Sequence, residues 1–114
     1  KHPSYYKKII IEKKNITLVA EEENKIVGYI TGFISKIDDD TKLKRVAEAD
    51  NMFILKEFRG KGIGSKLFKE FINRVKNKKL KVVRLSAYSS NLRAIKLYHE
   101  LGFKDYFVSM EKRI

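Results

Sequence analysis

Gly60, Gly62 and Gly64 alternate with Lys61 and Ile63 directly after Arg59. The stretch lies between an apolar run, Met52-Phe53-Ile54, and a segment whose apolar residues recur at helical spacing. Its chemistry is anion binding. Glycines let a backbone approach a ligand with no side chain in the way. A helix start presents unpaired N–H groups and a partial positive charge. Arg59 and Lys61 add full charges. Amides from Arg59 through Gly60, Lys61, Gly62, Ile63, Gly64 and Ser65 therefore describe a cradle for phosphate or pyrophosphate. The plainer alternative is a basic turn that opens a helix.

Two familiar phosphate patterns do not fit. The dinucleotide pattern G-x-G-x-x-G would need glycine at Ser65 or Leu67. The P-loop pattern would need Gly-Lys-Ser/Thr where Ser65-Lys66-Leu67 stands. The arrangement that fits is Arg/Gln-x-x-Gly-x-Gly/Ala, read as Arg59, Gly62 and Gly64. A second motif follows after one helix-like and one strand-like segment: Asn91-x-x-Ala94-x-x-Leu97-Tyr98-x-x-Leu101-Gly102-Phe103. Together these motifs resemble the GCN5-related N-acetyltransferase (GNAT) family, and the resemblance covers Ile16 to the C-terminus.

The resemblance implies a fold and a donor. The fold is α/β with a mixed sheet, an acyl-CoA N-acyltransferase fold whose two central strands splay apart. The co-substrate is acetyl-CoA, and no metal is implied. Main-chain groups of Met52, Phe53 and Ile54 would meet the pantetheine arm, the glycine turn would hold the pyrophosphate, and Asn91 and Tyr98 would approach the coenzyme from the other side. The family also carries a strand and two helices ahead of its first hairpin. Here only Lys1 to Lys14 precedes it, so those elements are expected to be missing or incomplete.

Acyl transfer needs a base and an acid. A primary amine must lose a proton before it attacks, since its ordinary pKa is about 8 for an α-amine and about 10.4 for lysine. Glu48 and Asp50 are the candidate bases. On an unbulged strand they share one face, and the reading leans to Glu48. A solvated strand residue, or a partner for a nearby lysine, is the competing role for each. The leaving thiolate benefits from a proton, which Tyr98 can donate; otherwise Tyr98 is a core tyrosine on an apolar helix face. A backbone N–H near Phe53 or Ile54 would meet the oxyanion if the strand bulges there. His99, one step round the helix, reads as exposed.

The elements that must position these groups follow from periodicity. Lys1 to Lys14 reads as a helix end leading into a loop. Ile16 to Ala20 and Ile26 to Ile37 read as strands around a polar turn, Glu21 to Lys25, forming an antiparallel hairpin. A charged loop, Asp38 to Lys44, leads to a third strand over Arg45 to Ile54. Glu48, Asp50 and Asn51 interrupt that strand, and such residues are costly in a sheet unless they face a cleft. Ile63, Leu67, Phe68, Phe71, Ile72 and Val75 mark one helix face. Val82 to Ala87 reads as a strand parallel to the third. Ser89-Ser90-Asn91 supplies the N-cap of a second helix with Ala94, Ile95, Leu97, Tyr98 and Leu101 on one face and Gly102 at its end. One further strand is expected within Phe103 to Lys112.

Composition sets the outer bounds. The 114 residues suit one domain, and 43% are apolar. No apolar run approaches a membrane span, and no signal-peptide pattern opens the chain. The chain does not open on Met, which fits a processed or partial sequence. With no cysteine, disulfides and an acyl-cysteine intermediate are excluded, so direct transfer in a ternary complex is the expected route. Two histidines alone make no zinc site. The net charge of +12 favours an anionic partner. Lys76, Lys78, Lys79 and Lys81 read as solvated surface rather than a nucleic-acid patch.

Three functions compete. They are an N-acetyltransferase acting on a small-molecule or protein amine, a coenzyme-binding regulatory domain, and a basic nucleic-acid-binding module, which the acidic pair at 48 and 50 disfavours. A cytoplasmic location is expected, and a homodimer is left open.

Overall fold

The computed structural model describes residues 4–11, 15–36 and 45–114, so the charged loop expected over 38–44 lies outside the described residues. Five strands form one sheet in the order β1-β2-β3-β4-β5. They are β1 (Ser4–Ile11), β2 (Asn15–Glu22), β3 (Lys25–Lys36), β4 (Arg45–Ile54) and β5 (Val83–Arg84). Helix α1 (Ile63–Asn77) joins β4 to β5, and α2 (Leu92–Glu100) follows β5.

The first strand corrects the sequence reading. Where a helix end was expected, β1 pairs antiparallel with β2, from Lys8↔Val19 to Ile11↔Ile16. The β-branched run Ile9-Ile10-Ile11 favours extended backbone, and the open edge of β2 supplies the ladder. The hairpin between β2 and β3 turns on Glu23 and Asn24, with φ of 51° and 64°. Two left-handed residues in a two-residue loop match the right-handed twist of the strands they join.

Helix α1 packs on one face of this sheet. Ile63, Leu67, Phe68, Phe71 and Val75 are buried with Ile16, Leu18 and Ala20 of β2, Ile30 of β3 and Ala47 of β4. Ile72, at the margin of the helical stripe, is partly buried. Full burial contributes about 1.5–3 kcal/mol for each large side chain, so this layer holds the helix to the sheet. A glycine sets how closely it packs. A Cβ on Gly32 would land on the Phe71 ring and 2.5 Å from the Glu48 carbonyl oxygen.

The second half of the chain packs less completely. β5 is parallel to β4, as expected, but only Ala47↔Val83 and Glu48↔Arg84 are paired. Helix α2 has no fully buried residue. No strand forms over 103–114, contrary to expectation, and Tyr106, Phe107, Val108 and Met110 are exposed. A strand needs a ladder partner, and β5 offers only a two-residue edge.

Gly32→Ala is expected to destabilise the fold by about 1–3 kcal/mol, the usual cost of forcing a methyl into a filled site. Urea unfolding measures it. A midpoint equal to that of the wild type would show that Phe71 and β4 can move aside freely.

Candidate active site

A β-bulge in β4 opens the site. On β3, Thr31 pairs with Asn51 and the next residue, Gly32, pairs with Ala49, which leaves Asp50 without a partner. The extra residue bends the strand and increases its local twist. Pairing with β5 ends just before it, at Glu48↔Arg84. Beyond that point the two strands part, and a shallow cleft, open to solvent, lies between them. Ile30, Ala49, Met52, Phe68 and Leu85 give its lining an apolar part, and Asp50, Asn51, Ser86 and Tyr98 give it a polar part.

The bulge also separates the two candidate bases. Their shared face was an expectation for an unbulged strand, and the strand is bulged. Asp50 lines the cleft. The Glu48 carboxylate accepts a 2.7 Å hydrogen bond from the Ser35 hydroxyl on β3 instead. The bulge lies at Asp50 rather than near Phe53 or Ile54, where the oxyanion reading required it.

Regular pairing from Met52↔Ile30 to Ile54↔Gly28 shows which main-chain groups reach the gap. The Leu55 N–H bonds the Val27 carbonyl on β3 at 2.8 Å. Antiparallel strands alternate, so the main-chain groups of Ile54 and Met52 point to the opposite edge, and those of Phe53 point to β3. Phe53 is therefore not placed to offer backbone groups to the cleft. The Ile54 carbonyl already accepts a 2.8 Å bond from Arg59 Nε. The Arg59 guanidinium lies 5.5 Å from the centre of the Phe53 ring, so this side chain folds back onto the end of β4.

The glycine turn has the expected form. Gly60 and Gly62 have φ of 76° and 84°, and a Cβ on either would meet nothing within 4 Å. Gly62 is the N-cap of α1, with no side chain capping the helix. The Lys66 N–H bonds the Gly62 carbonyl at 3.1 Å, so the amides of Ile63, Gly64 and Ser65 precede the first intrahelical bond. The first turn contains no acidic residue to neutralise the dipole. Lys61 Nζ sits 5.3 Å from the centre of the Phe58 ring, beside this open backbone. Gly64 brings the helix onto the strand, since its Cβ would lie 3.3 Å from Met52 Cε. The turn leaves these amides open, and it adjoins a residue that lines the cleft.

Tyr98 is fixed by the way α2 ends. Gly102 has φ of 98°. Its N–H bonds the His99 carbonyl at 3.0 Å, and the Phe103 N–H bonds the Tyr98 carbonyl at 2.9 Å. This is a Schellman motif, with its characteristic contact between Phe103 and Tyr98. Those rings lie 6.1 Å apart, and each is 5.6 Å from Phe68 of α1, all edge to face. The Leu101-Gly102-Phe103 run thus locks the Tyr98 ring against α1. At the other end of α2 the Asn91 side chain accepts from the Ala94 N–H at 3.3 Å, an N-cap role that leaves the residue exposed.

Among the cleft residues that were assigned no role from sequence are Asn51, Leu85 and Ser86. Asn51 carried a signal, as one of the polar residues interrupting a strand. Ser86 carried a weaker one, as a hydroxyl closing the apolar run of β5. His99 is exposed, as expected, and its Nε2 lies 2.8 Å from the Asp105 carboxylate.

Fold and cleft can now be set beside known proteins. Residues 1–103 match the acetyltransferase (GNAT) family. A probable spermine N(1)-acetyltransferase of Bacillus subtilis subsp. natto is 37% identical over 84 residues, covering 72% of this chain and 55% of that protein. An uncharacterized N-acetyltransferase of Archaeoglobus fulgidus is 32% identical over 98 residues, covering 83% of this chain and 64% of its own. The tetramutant BH1408 protein of Bacillus halodurans superposes with a TM-score of 0.81 at 25% identity, over 90% of this chain and 67% of that one. An aminoglycoside N-acetyltransferase, AAC(6')-Iy, solved with CoA, shares the fold alone, with a TM-score of 0.79 at 17% identity over 90% and 68% of the two chains. The chain belongs to the GNAT family. It spans between half and two thirds of the length of these curated relatives.

Burial raises the Tyr98 phenol above its ordinary value of 10.0. The folded protein therefore holds this proton to higher pH than the unfolded chain does. Above pH 10 the unfolded state binds fewer protons, so stability falls as pH rises toward the folded value. Below pH 10 this contribution is constant. Between neutral pH and pH 11 the wild type is expected to lose more stability than Tyr98→Phe, as followed by urea unfolding. Equal losses would mean that Tyr98 ionises as freely as a solvent-exposed tyrosine.

Proposed function

We propose that the protein is an acetyl-CoA-dependent N-acetyltransferase that acetylates a primary amine by direct transfer. The observation that carries this reading is the cleft where β4 and β5 part, with Asp50 and Tyr98 among its polar residues and an anion-holding turn adjoining it through Met52 and Gly64. Family membership supports it.

The pyrophosphate rests on the amides of the glycine turn, and the pantetheine runs along the free main-chain groups of Met52 and the free N–H of Ile54. Asp50 takes one proton from the acceptor's ammonium, directly or through water. The freed nitrogen attacks the thioester carbon, and the N–H of Met52 or Ile54 meets the developing oxyanion. The C–S bond then breaks, and Tyr98 passes its proton to the leaving thiolate. The nitrogen gives up a second proton to solvent as the amide forms, Asp50 releases the first to solvent, and solvent restores the Tyr98 proton. The phenol is neutral at working pH, as a donor must be, and burial only extends that state to higher pH. The chain has no cysteine to carry the acetyl group on the way.

A small polyamine is the first acceptor to try. Two relatives from Bacillus subtilis are named for spermine, and Asp50 gives the cleft an anionic group for an ammonium. Thiol release from acetyl-CoA should be measured against spermine, spermidine, an aminoglycoside and peptides with free α- and ε-amines. No release with any amine, alongside a thermal shift from acetyl-CoA, would make the protein a coenzyme-binding domain.

Gly62→Trp would fill the open space over the turn, and calorimetry is expected to find coenzyme A binding abolished. Undiminished affinity would remove the turn from the donor site. For the chemistry, Asp50→Asn is expected to lower kcat by about 10²-fold or more, and Tyr98→Phe by about 10-fold or more with coenzyme affinity nearly intact. Glu48→Gln should stay near the wild-type rate. A full rate in Asp50→Asn with a collapse in Glu48→Gln would transfer the base to Glu48.

A further inference from the structure

We propose that the Ser86 hydroxyl contacts the acceptor amine and fixes the direction of its attack, a role that rests on the acetyl-transfer reading above. The register places it there. Ala47 stands beside Val83 and Glu48 beside Arg84 on parallel strands. Continued pairing would set Ala49 beside Leu85 and Asp50 beside Ser86. The bulge at Asp50 interrupts that pairing, yet both residues still line the cleft, Asp50 from β4 and Ser86 from the segment that continues β5. The two walls of the gap thus each bring one polar side chain to the same cleft, beyond the point where the strands separate.

The chemistry needs such a group. A protonated amine carries N–H bonds in fixed directions. When Asp50 takes one proton, the new lone pair points wherever the remaining N–H groups allow. A second acceptor on the opposite wall holds one of them and turns the lone pair toward the thioester carbon, which is where orientation yields rate. Serine suits this task. Its oxygen has two acceptor lone pairs, and its hydroxyl makes no hydrogen bond to another described residue. Asn51 lies on the β4 wall and Tyr98 on α2, so neither acts from the side of β5. Ser86 itself moves no proton.

The test separates the hydroxyl from its volume. Ser86→Val and Ser86→Thr add nearly the same bulk, and only the second keeps the oxygen. With an amine that the wild type acetylates, Ser86→Ala and Ser86→Val are expected to raise the acceptor KM by about 3- to 10-fold, the worth of one hydrogen bond, and to lower kcat as the attack loses its direction. The KM for acetyl-CoA and the acidic limb of the pH profile should not move, and Ser86→Thr should restore the acceptor KM. Calorimetric binding of spermine to the coenzyme A-saturated protein reads the same contact without turnover. A wild-type acceptor KM in Ser86→Val, or equal losses in Ser86→Val and Ser86→Thr, would overturn the proposal while leaving acetyl transfer intact. A wild type that neither turns over nor binds any amine would overturn both.

Discussion

Two parallel strands that begin in register and then stop pairing create a place where a ligand can reach into this sheet. β4 and β5 share two residue pairs, at Ala47↔Val83 and Glu48↔Arg84, and none beyond. A parallel pair with hydrogen bonds along its whole length would satisfy the β5-facing edge of β4. Here that edge stays open from Ala49 onward, and unpaired main-chain groups are costly unless water or a ligand meets them. The bulge at Asp50 provides the local cause, because the extra residue bends β4 where the pairing ends. The cleft, the free groups of Met52, the free N–H of Ile54, and the presence of Asp50 and Ser86 on its two walls all follow from this interruption.

The surrounding helices keep the gap from closing. Phe68 of α1 lies among the lining residues and is buried to 1% exposure. It also meets both Tyr98 and Phe103 edge to face. One ring therefore joins the core under the sheet to the end of α2. Edge-to-face pairs add about 0.5–1.5 kcal/mol beyond the area they bury. They also define an orientation, which burial alone does not. Helix α2 has no fully buried residue, so its position depends on this cluster and on the Schellman turn more than on a broad apolar seam.

Much of this could be read from the sequence because it is encoded locally. The bounds of β4, the buried face of α1 and the glycine turn each follow from short-range rules of spacing, backbone freedom and capping. The sequence also showed that Ser89-Ser90-Asn91 and Gly102 bracket a helix. What it could not show depends on pairing. The bulge at Asp50 arises from the match between β3 and β4, and no residue in Glu48-Ala49-Asp50 announces it. Once the strand bulges, period-two reasoning about Glu48 and Asp50 no longer holds. The same is true at both ends of the chain. Ile9 to Ile11 became a strand because β2 had an open edge, whereas the apolar run after Phe103 found only two residues of β5 beside it. Strand propensity was present in both segments, and only one had a partner.

Charge is laid out along β4 in a way that the net charge of the chain conceals. The chain carries +12 overall, yet the side chain that the bulge brings to the cleft is a carboxylate. Cations gather instead past the end of the strand, where Arg59 and Lys61 flank the open amides of the turn. A phosphate and an ammonium would thus be drawn to different ends of one strand. Both fields act within roughly one Debye length, about 8 Å at physiological ionic strength, so each is felt mainly by the group bound beside it. Arg59 refines the arrangement. Its Nε holds the Ile54 carbonyl and its guanidinium lies over Phe53, so the cation is anchored to the strand that leads from turn to cleft. A ligand spanning the two would meet positive charge and bare amides first, then the open main-chain edge, then a carboxylate. That order matches a molecule with an anionic end, a hydrogen-bonding arm and a reactive tip presented to an amine.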